Sequence, residues 1–188
     1  MGGSQVTKMD IKTLPTYPAR KRLSLLADLR PVVVVDTREQ TPLVFDRLES
    51  TVATLTTGDY SFLGGEQNLA IERKSVPDFV ACCMGQNRDR FFRELHRMRG
   101  FAFRRLLIVG TRNEIETGQY RSAIKPQSVL ATLSTIEARF DVPVVFASTP
   151  AQAAWQVEEW IWWYAREIIL SANQLLPTRN QPSPNPRS

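Results

Sequence analysis

Ile71-Glu72-Arg73-Lys74-Ser75-Val76-Pro77-Asp78 changes character at Ser75, and that change points to the fold. The run from Asn68 to Lys74 reads as a strand. Side chains alternate along a strand, so Glu72 and Lys74 project from one face and Arg73 from the other. Ser75 then offers an N-cap hydroxyl, Pro77 falls in the first turn and Asp78 supplies an acid at the third position. Together they open a helix.

Upstream, Thr51 to Phe62 and Asn68 to Lys74 flank Gly64-Gly65 and predict a hairpin with a short loop. Further back, Val32-Val33-Val34-Val35-Asp36 is a continuous β-branched run, the pattern of a central strand covered on both faces. Downstream, a helix is predicted from about Asn87 to Arg99 and a buried strand at Leu106–Val109, ended by Gly110. Pro126 starts the next helix, with Val129, Leu133, Ile136 and Phe140 on one stripe. Val142 to Ala147 is a last strand, and the capping box Thr149-Pro150-Ala151-Gln152 launches a long terminal helix. Strands first, then alternating helices and strands, predict an α/β domain with a mixed central β-sheet flanked by α-helices.

The 188 residues are 43% hydrophobic and 23% charged, a globular composition that excludes wholesale disorder. The domain is expected over residues 31–172. A flexible basic segment (1–30) precedes it and a disordered proline-rich tail (173–188) follows it. The longest apolar runs, Val32–Val35 and Trp160–Ala165, fall far short of the roughly 18 residues a membrane span needs. The first ten residues lack the apolar core of a secretory signal. Cys82 and Cys83 adjoin each other, a poor disulfide framework and an incomplete zinc site, and are most simply core residues. An intracellular location is expected: cytoplasm or nucleoid in a prokaryote or phage, nucleus in a eukaryote.

The net charge of +5 is concentrated. Arg88, Arg90, Arg93, Arg97, Arg99, Arg104 and Arg105 face only Asp89 and Glu94 in the same stretch, an excess as large as that of the whole chain. Guanidinium forks suit phosphate, so nucleic acid is the expected partner and a membrane is not. On the predicted helix, Arg90, Arg93 and Arg97 form a narrow stripe opposite Phe91, Phe92, Leu95 and Met98. Their mutual repulsion would be relieved by a phosphate backbone, whose contacts position a duplex without reading its sequence. His96, the one histidine, lies on the flank of this helix and is not required by the chemistry below.

Three acids sit where strands end or turn: Asp36, Asp59 and Glu72. The hairpin can bring Asp59 beside Glu72, with Lys74 on the same face. A few carboxylates with open positions for water and phosphate are what Mg²⁺ prefers, and Mn²⁺ substitutes readily. Such an ion polarises a phosphodiester, while a lysine orients the attacking water or takes its proton. Glu-x-Lys alone is also common on solvated strands.

It does not stand alone. Val34-Val35-Asp36-Thr37-Arg38-Glu39, then Gly58-Asp59-Tyr60, then Ile71 to Asp78 resemble, in order and spacing, the nuclease domain of the XPF and Mus-type structure-specific endonucleases, a restriction-endonuclease-like fold. The resemblance implies that Asp36, Asp59 and Glu72 are metal ligands and that Lys74 is the base or charge stabiliser. Arg73 would hold the site or meet phosphate. Arg38 and Glu39 would support it, Arg38 toward DNA with Arg88, and Glu39 at the metal or its waters. Asp78 closes the motif, although its place in the Ser75 cap explains it without catalysis. The terminal helix is apolar on two sides, so Trp155, Trp160, Ile161, Tyr164 and Ile168 are expected at a dimer interface, homomeric or heteromeric. The expected function is Mg²⁺-dependent endonucleolytic cleavage of branched DNA (flap, fork or junction) in repair or recombination. Two alternatives stay open: a non-catalytic DNA-binding or scaffolding subunit, and a restriction-like nuclease reading linear duplex.

Overall fold

A computed structural model describes residues 29–175. Most of the expected N-terminal segment, and the proline-rich tail from residue 176 onward, lie outside the described residues.

The valine run forms β1 (Val33–Asp36), buried along its whole length as its composition requires. It pairs in parallel with β2 (Ser50–Ala53) and antiparallel with β3 (Tyr60–Phe62). Next comes β4 (Leu69–Ser75), antiparallel to β3. It is followed by β5 (Phe103–Val109) and β6 (Val144–Ala147), both in parallel register. The resulting order is β2-β1-β3-β4-β5-β6 in one mixed sheet. Short helices α1 (Val76–Ala81) and α3 (Arg112–Glu116), and the longer α2 (Gly85–Met98), α4 (Pro126–Phe140) and α5 (Pro150–Gln174), complete the domain. The predicted α/β class with a mixed sheet is the observed one.

Two elements differ from expectation. Thr51 to Phe62 is not one hairpin arm: β2 leaves it to become an exposed parallel edge strand, and only β3 faces β4. The break passes through Gly58, held at φ +82, where a Cβ would lie 3.0 Å from the carbonyl oxygen of Ile71. Glycine alone suits both that left-handed backbone and that close approach. The other is α3, missed in the sequence although Thr111 and Glu114 form a reciprocal capping box after Gly110.

Alternation along the central strands divides the core into two layers. Ala70, Leu106 and Ile108 face α1, α2 and α4, joined by Phe79, Phe91, Leu95, Leu133 and Ile136. Leu69, Ile71 and Leu107 face α5, meeting Ala153, Val157 and Ile161. Residues 72 to 74 of β4 continue that alternation past the end of the apolar core, where acid, arginine and lysine replace aliphatics.

Helix α5 corrects the interface expectation. Ile161 is fully buried inside its own monomer, on the sheet. Trp160 meets the ring of Phe103, and Tyr164 those of Phe62 and Phe103. Their second apolar partner is the chain's own sheet. Trp155 and Ile168 remain exposed, as does Trp163, which the sequence did not single out. The helix is also anchored by buried Glu158. It accepts hydrogen bonds from the Arg47 and Leu48 amides at 2.7 and 2.9 Å and from Arg47 Nε at 3.1 Å, tying the β1–β2 connection to α5.

Candidate active site

At the C-terminal ends of β1 and β4 the sheet opens into a cleft of about 480 Å³. Its walls include Glu39, Asp59, Glu72, Arg73 and Lys74 from the strands and turns, and Asn87, Arg90, Phe91 and Glu94 from α2.

Asp59 is placed by backbone. Its amide donates to the Ile71 carbonyl at 2.8 Å and its carbonyl accepts from the Asp36 amide at 2.9 Å, which wedges it between β1 and β4. Its carboxylate Oδ2 then accepts from the Arg73 amide at 2.7 Å. Glu72 and Lys74 share the face of β4 turned toward α2, as alternation requires. Lys74 Nζ donates to Glu72 Oε1, and lies 5.8 Å from the centre of the Phe91 ring. The second oxygen of Glu72, Oε2, is buried without a hydrogen-bond partner.

A buried, unpartnered carboxylate oxygen is costly unless something else meets it. The proton affinities carry the same message. Burial, with the repulsion of Asp59, pushes Glu72 up to about 8 against the pull of Lys74. Burial pushes Asp59 up to about 6, opposed by Lys74 and the Arg73 amide. Burial works against the Lys74 ammonium, yet Glu72 and Asp59 outweigh it and keep it charged far above neutrality. Two crowded carboxylates thus share one ammonium, a set short of positive charge. The donors are hard oxygens, the class that Mg²⁺ and Mn²⁺ prefer, and Glu72 Oε2 is the atom that fits such an ion. No three acidic, histidine or cysteine side chains form a ready-made cluster among the described residues.

Asp36 does not belong to this set. It lies outside the cleft lining, and both its oxygens are filled. Oδ1 accepts from Arg38 N and Nε at 2.9 and 2.6 Å, and Oδ2 from the Leu55 amide and Arg38 Nη2 at 2.6 and 3.2 Å. Four donors occupy about all the lone pairs a carboxylate has. Burial alone would raise its pKa, but the Arg38 guanidinium and the two amides hold it below the ordinary value. Asp36 therefore closes the β1 turn through Arg38 and Leu55, and the proposal below assigns the ion to Asp59 and Glu72.

Glu39 is likewise engaged. Its oxygens receive Arg73 Nε and Nη2 at 3.1 and 2.8 Å and the Thr41 amide at 2.9 Å. This fork-to-fork pair aims Arg73 from the face of β4 opposite Lys74. Glu39 thus acts through Arg73. Asp78 caps α1: its amide donates to Ser75 Oγ at 3.2 Å and its Oδ2 accepts from the same hydroxyl at 2.6 Å.

Of the arginine stripe, Arg90 lines the cleft, while Arg93 and Arg97 are exposed beyond it. Arg38, about two-thirds exposed, also lines the cleft. Arg88 turns away, its guanidinium 4.3 Å over the Phe92 ring. Glu94 and Asn87 were missed as cleft residues. The signal was present: Asn87, Arg90, Phe91 and Glu94 recur at the i, i+3, i+4, i+7 spacing of one helical face. Cys82, expected in the core, also touches the cleft wall.

The raised carboxylates give a pH prediction. The unfolded chain loses these protons near pH 4, the folded one only near 6 and 8, so between those limits the folded state binds more protons. Stability of the metal-free protein from this pair therefore falls as pH rises from about 4 to 8. Added Mg²⁺ should raise the melting temperature more at pH 8 than at pH 5.5. An equal rise at both would contradict the charge deficit.

Comparison with known proteins agrees with the fold. The model of the ERCC4 domain matches residues 35–158. The chain therefore belongs to the ERCC4-domain family. Among solved structures it is similar to XPF from Aeropyrum pernix, with TM-score 0.60 and 19% identity over 82% of this chain and 69% of that one. The same protein in complex with DNA gives TM-score 0.54 and 21% identity over 81% and 70%. No curated protein matches.

Among the described residues, no helix is long and apolar enough to cross a membrane.

Proposed function

We propose that this chain is a metal-dependent DNA endonuclease acting on branched DNA. The observation that carries it is the buried, unpartnered Oε2 of Glu72 in a cleft that also holds Asp59 and Lys74. Asp59 and Glu72 would hold a Mg²⁺ or Mn²⁺ ion. When bound, that ion supplies Lewis-acid polarisation of the phosphodiester and acidifies water.

The chain's own residues do the rest. Glu72 keeps Lys74 charged, so the ammonium stands ready to orient a water or to meet the negative charge that builds on the phosphate. Arg73, clamped by Glu39, offers a fixed guanidinium on the other face of β4. Arg38 and Arg90 both line the cleft, where they would receive backbone phosphates. Arg93 and Arg97 extend the same basic surface along α2. The solved complex of the Aeropyrum XPF with DNA supports this partner. A dimer through α5 is part of the proposal, now resting on exposed Trp155, Trp163 and Ile168.

The test incubates the chain with end-labelled flap, fork and linear duplexes, with and without Mg²⁺. Cleavage of flap or fork only with the ion is the expected outcome. Cleavage of linear duplex alone would indicate a restriction-like enzyme, and binding without cleavage in either ion would indicate a scaffold.

A further inference from the structure

Nothing in the motif of residues 58–78 draws attention to α2 as a source of acids. Yet Glu94 leaves the arginine stripe and turns into the same cleft as Glu72, Asp59 and Lys74. Its side chain is about one-quarter exposed, and the guanidinium nearest to it, that of Arg97, stays 3.9 Å away, at the limit of an ion pair. Arginines border Glu94 along the helix, and its ion pair with Arg97 is a long one. An acid left so loosely matched beside a positive stripe faces something else.

Charge counting shows what. Asp59, Glu72 and Lys74 together carry one excess negative charge, which a divalent ion would overturn into an excess positive one. With Glu94 the excess among these four is two, which one divalent ion balances, while Arg90 on the same wall is left to phosphate. The atom that waits for that ion is already visible, since Glu72 Oε2 is buried and unpartnered. Small divalent ions of the Mg²⁺ class keep several waters, and those waters need acceptors on the side away from their direct ligands. The helical wall offers such an acceptor in Glu94.

We propose that Glu94 is a positioning residue for the cation site, an acid on α2 that meets the waters of the hydrated ion and not the ion itself. It rests on the metal-dependent reading above and adds a residue the recognised motif does not contain. Helix α2 then serves both reactants, with Arg90 meeting phosphate and Glu94, one turn on, meeting the waters of the ion.

The experiment reads metal binding, not turnover. The full chain is titrated with Mn²⁺ in the absence of DNA, with free ion followed by electron paramagnetic resonance. Glu94→Gln should weaken binding by about 10-fold or more, the range seen when an acid supporting a metal is removed. Glu116→Gln, an exposed acid of α3 paired with Arg112 at 2.8 Å, makes the same change of net charge and should leave affinity within about twofold. Glu94→Ala, with a good helix former, serves as a second variant, and melting curves show that each is folded. If both Glu94 variants bind as Glu116→Gln does, the proposal is overturned while the metal site stands. If the unaltered chain shows no saturable Mn²⁺ binding, the metal reading fails, and this inference with it.

Discussion

Glu72→Gln is expected to lower the rate of flap cleavage by about a thousandfold or more, the scale at which a group stabilising the transition state is lost. The change keeps the shape while putting an NH₂ donor in place of one acceptor oxygen. What it removes is the negative charge behind Oε2, the atom that the folded protein leaves without a partner. Because that carboxylate is costly to bury, the variant should melt no lower than the unaltered chain without metal. DNA binding, which the proposal assigns to Arg38, Arg90 and the rest of the α2 stripe, should persist. Single-turnover cleavage and a binding titration at one salt concentration measure both. Retained cleavage would remove Glu72 from the chemistry, and loss of cleavage together with DNA binding would make its role structural.

Lys74→Met should separate two roles that Glu72 combines. The methionine keeps the bulk beside Phe91 but takes the ammonium off Glu72 Oε1. Cleavage should fall about 10²- to 10⁴-fold, the contribution of a positioned proton-transfer or charge-stabilising group. Mn²⁺ should bind more tightly than in the unaltered chain, because the resident positive charge no longer competes for the same oxygens. Opposite signs in the two measurements identify Lys74 as a member of the reacting set. Weaker Mn²⁺ binding would instead show that Lys74 only holds Glu72 in place.

Much of this site was legible in the sequence, because strand alternation depends on neighbours alone. Glu72 and Lys74 on one face, Arg73 on the other and the Ser75–Asp78 cap all follow from residues within a turn or two. The valine run gave β1 for the same reason. What was not legible depends on contacts across the chain. Asp36 looked like its fellow acids until the Leu55 amide, nineteen positions away, took one of its oxygens. Ile161 looked like an interface residue because nothing in α5 itself says that this face meets β3 and β5. The bond between Glu158 and the Arg47 amide spans 111 positions and leaves no local trace. Glu94 lay in between: its helical face was readable, but not that the face would border the end of β4.

The central claim is that Asp59 and Glu72, without Asp36, grip one divalent ion beside Lys74. Anomalous diffraction from crystals of the full chain soaked in Mn²⁺ locates the ion directly. A peak between the carboxylates of Asp59 and Glu72, with Asp36 still bound to Arg38 and Leu55, is the expected result. A peak on Asp36, or no peak in crystals of protein that cleaves DNA with Mn²⁺, would contradict it.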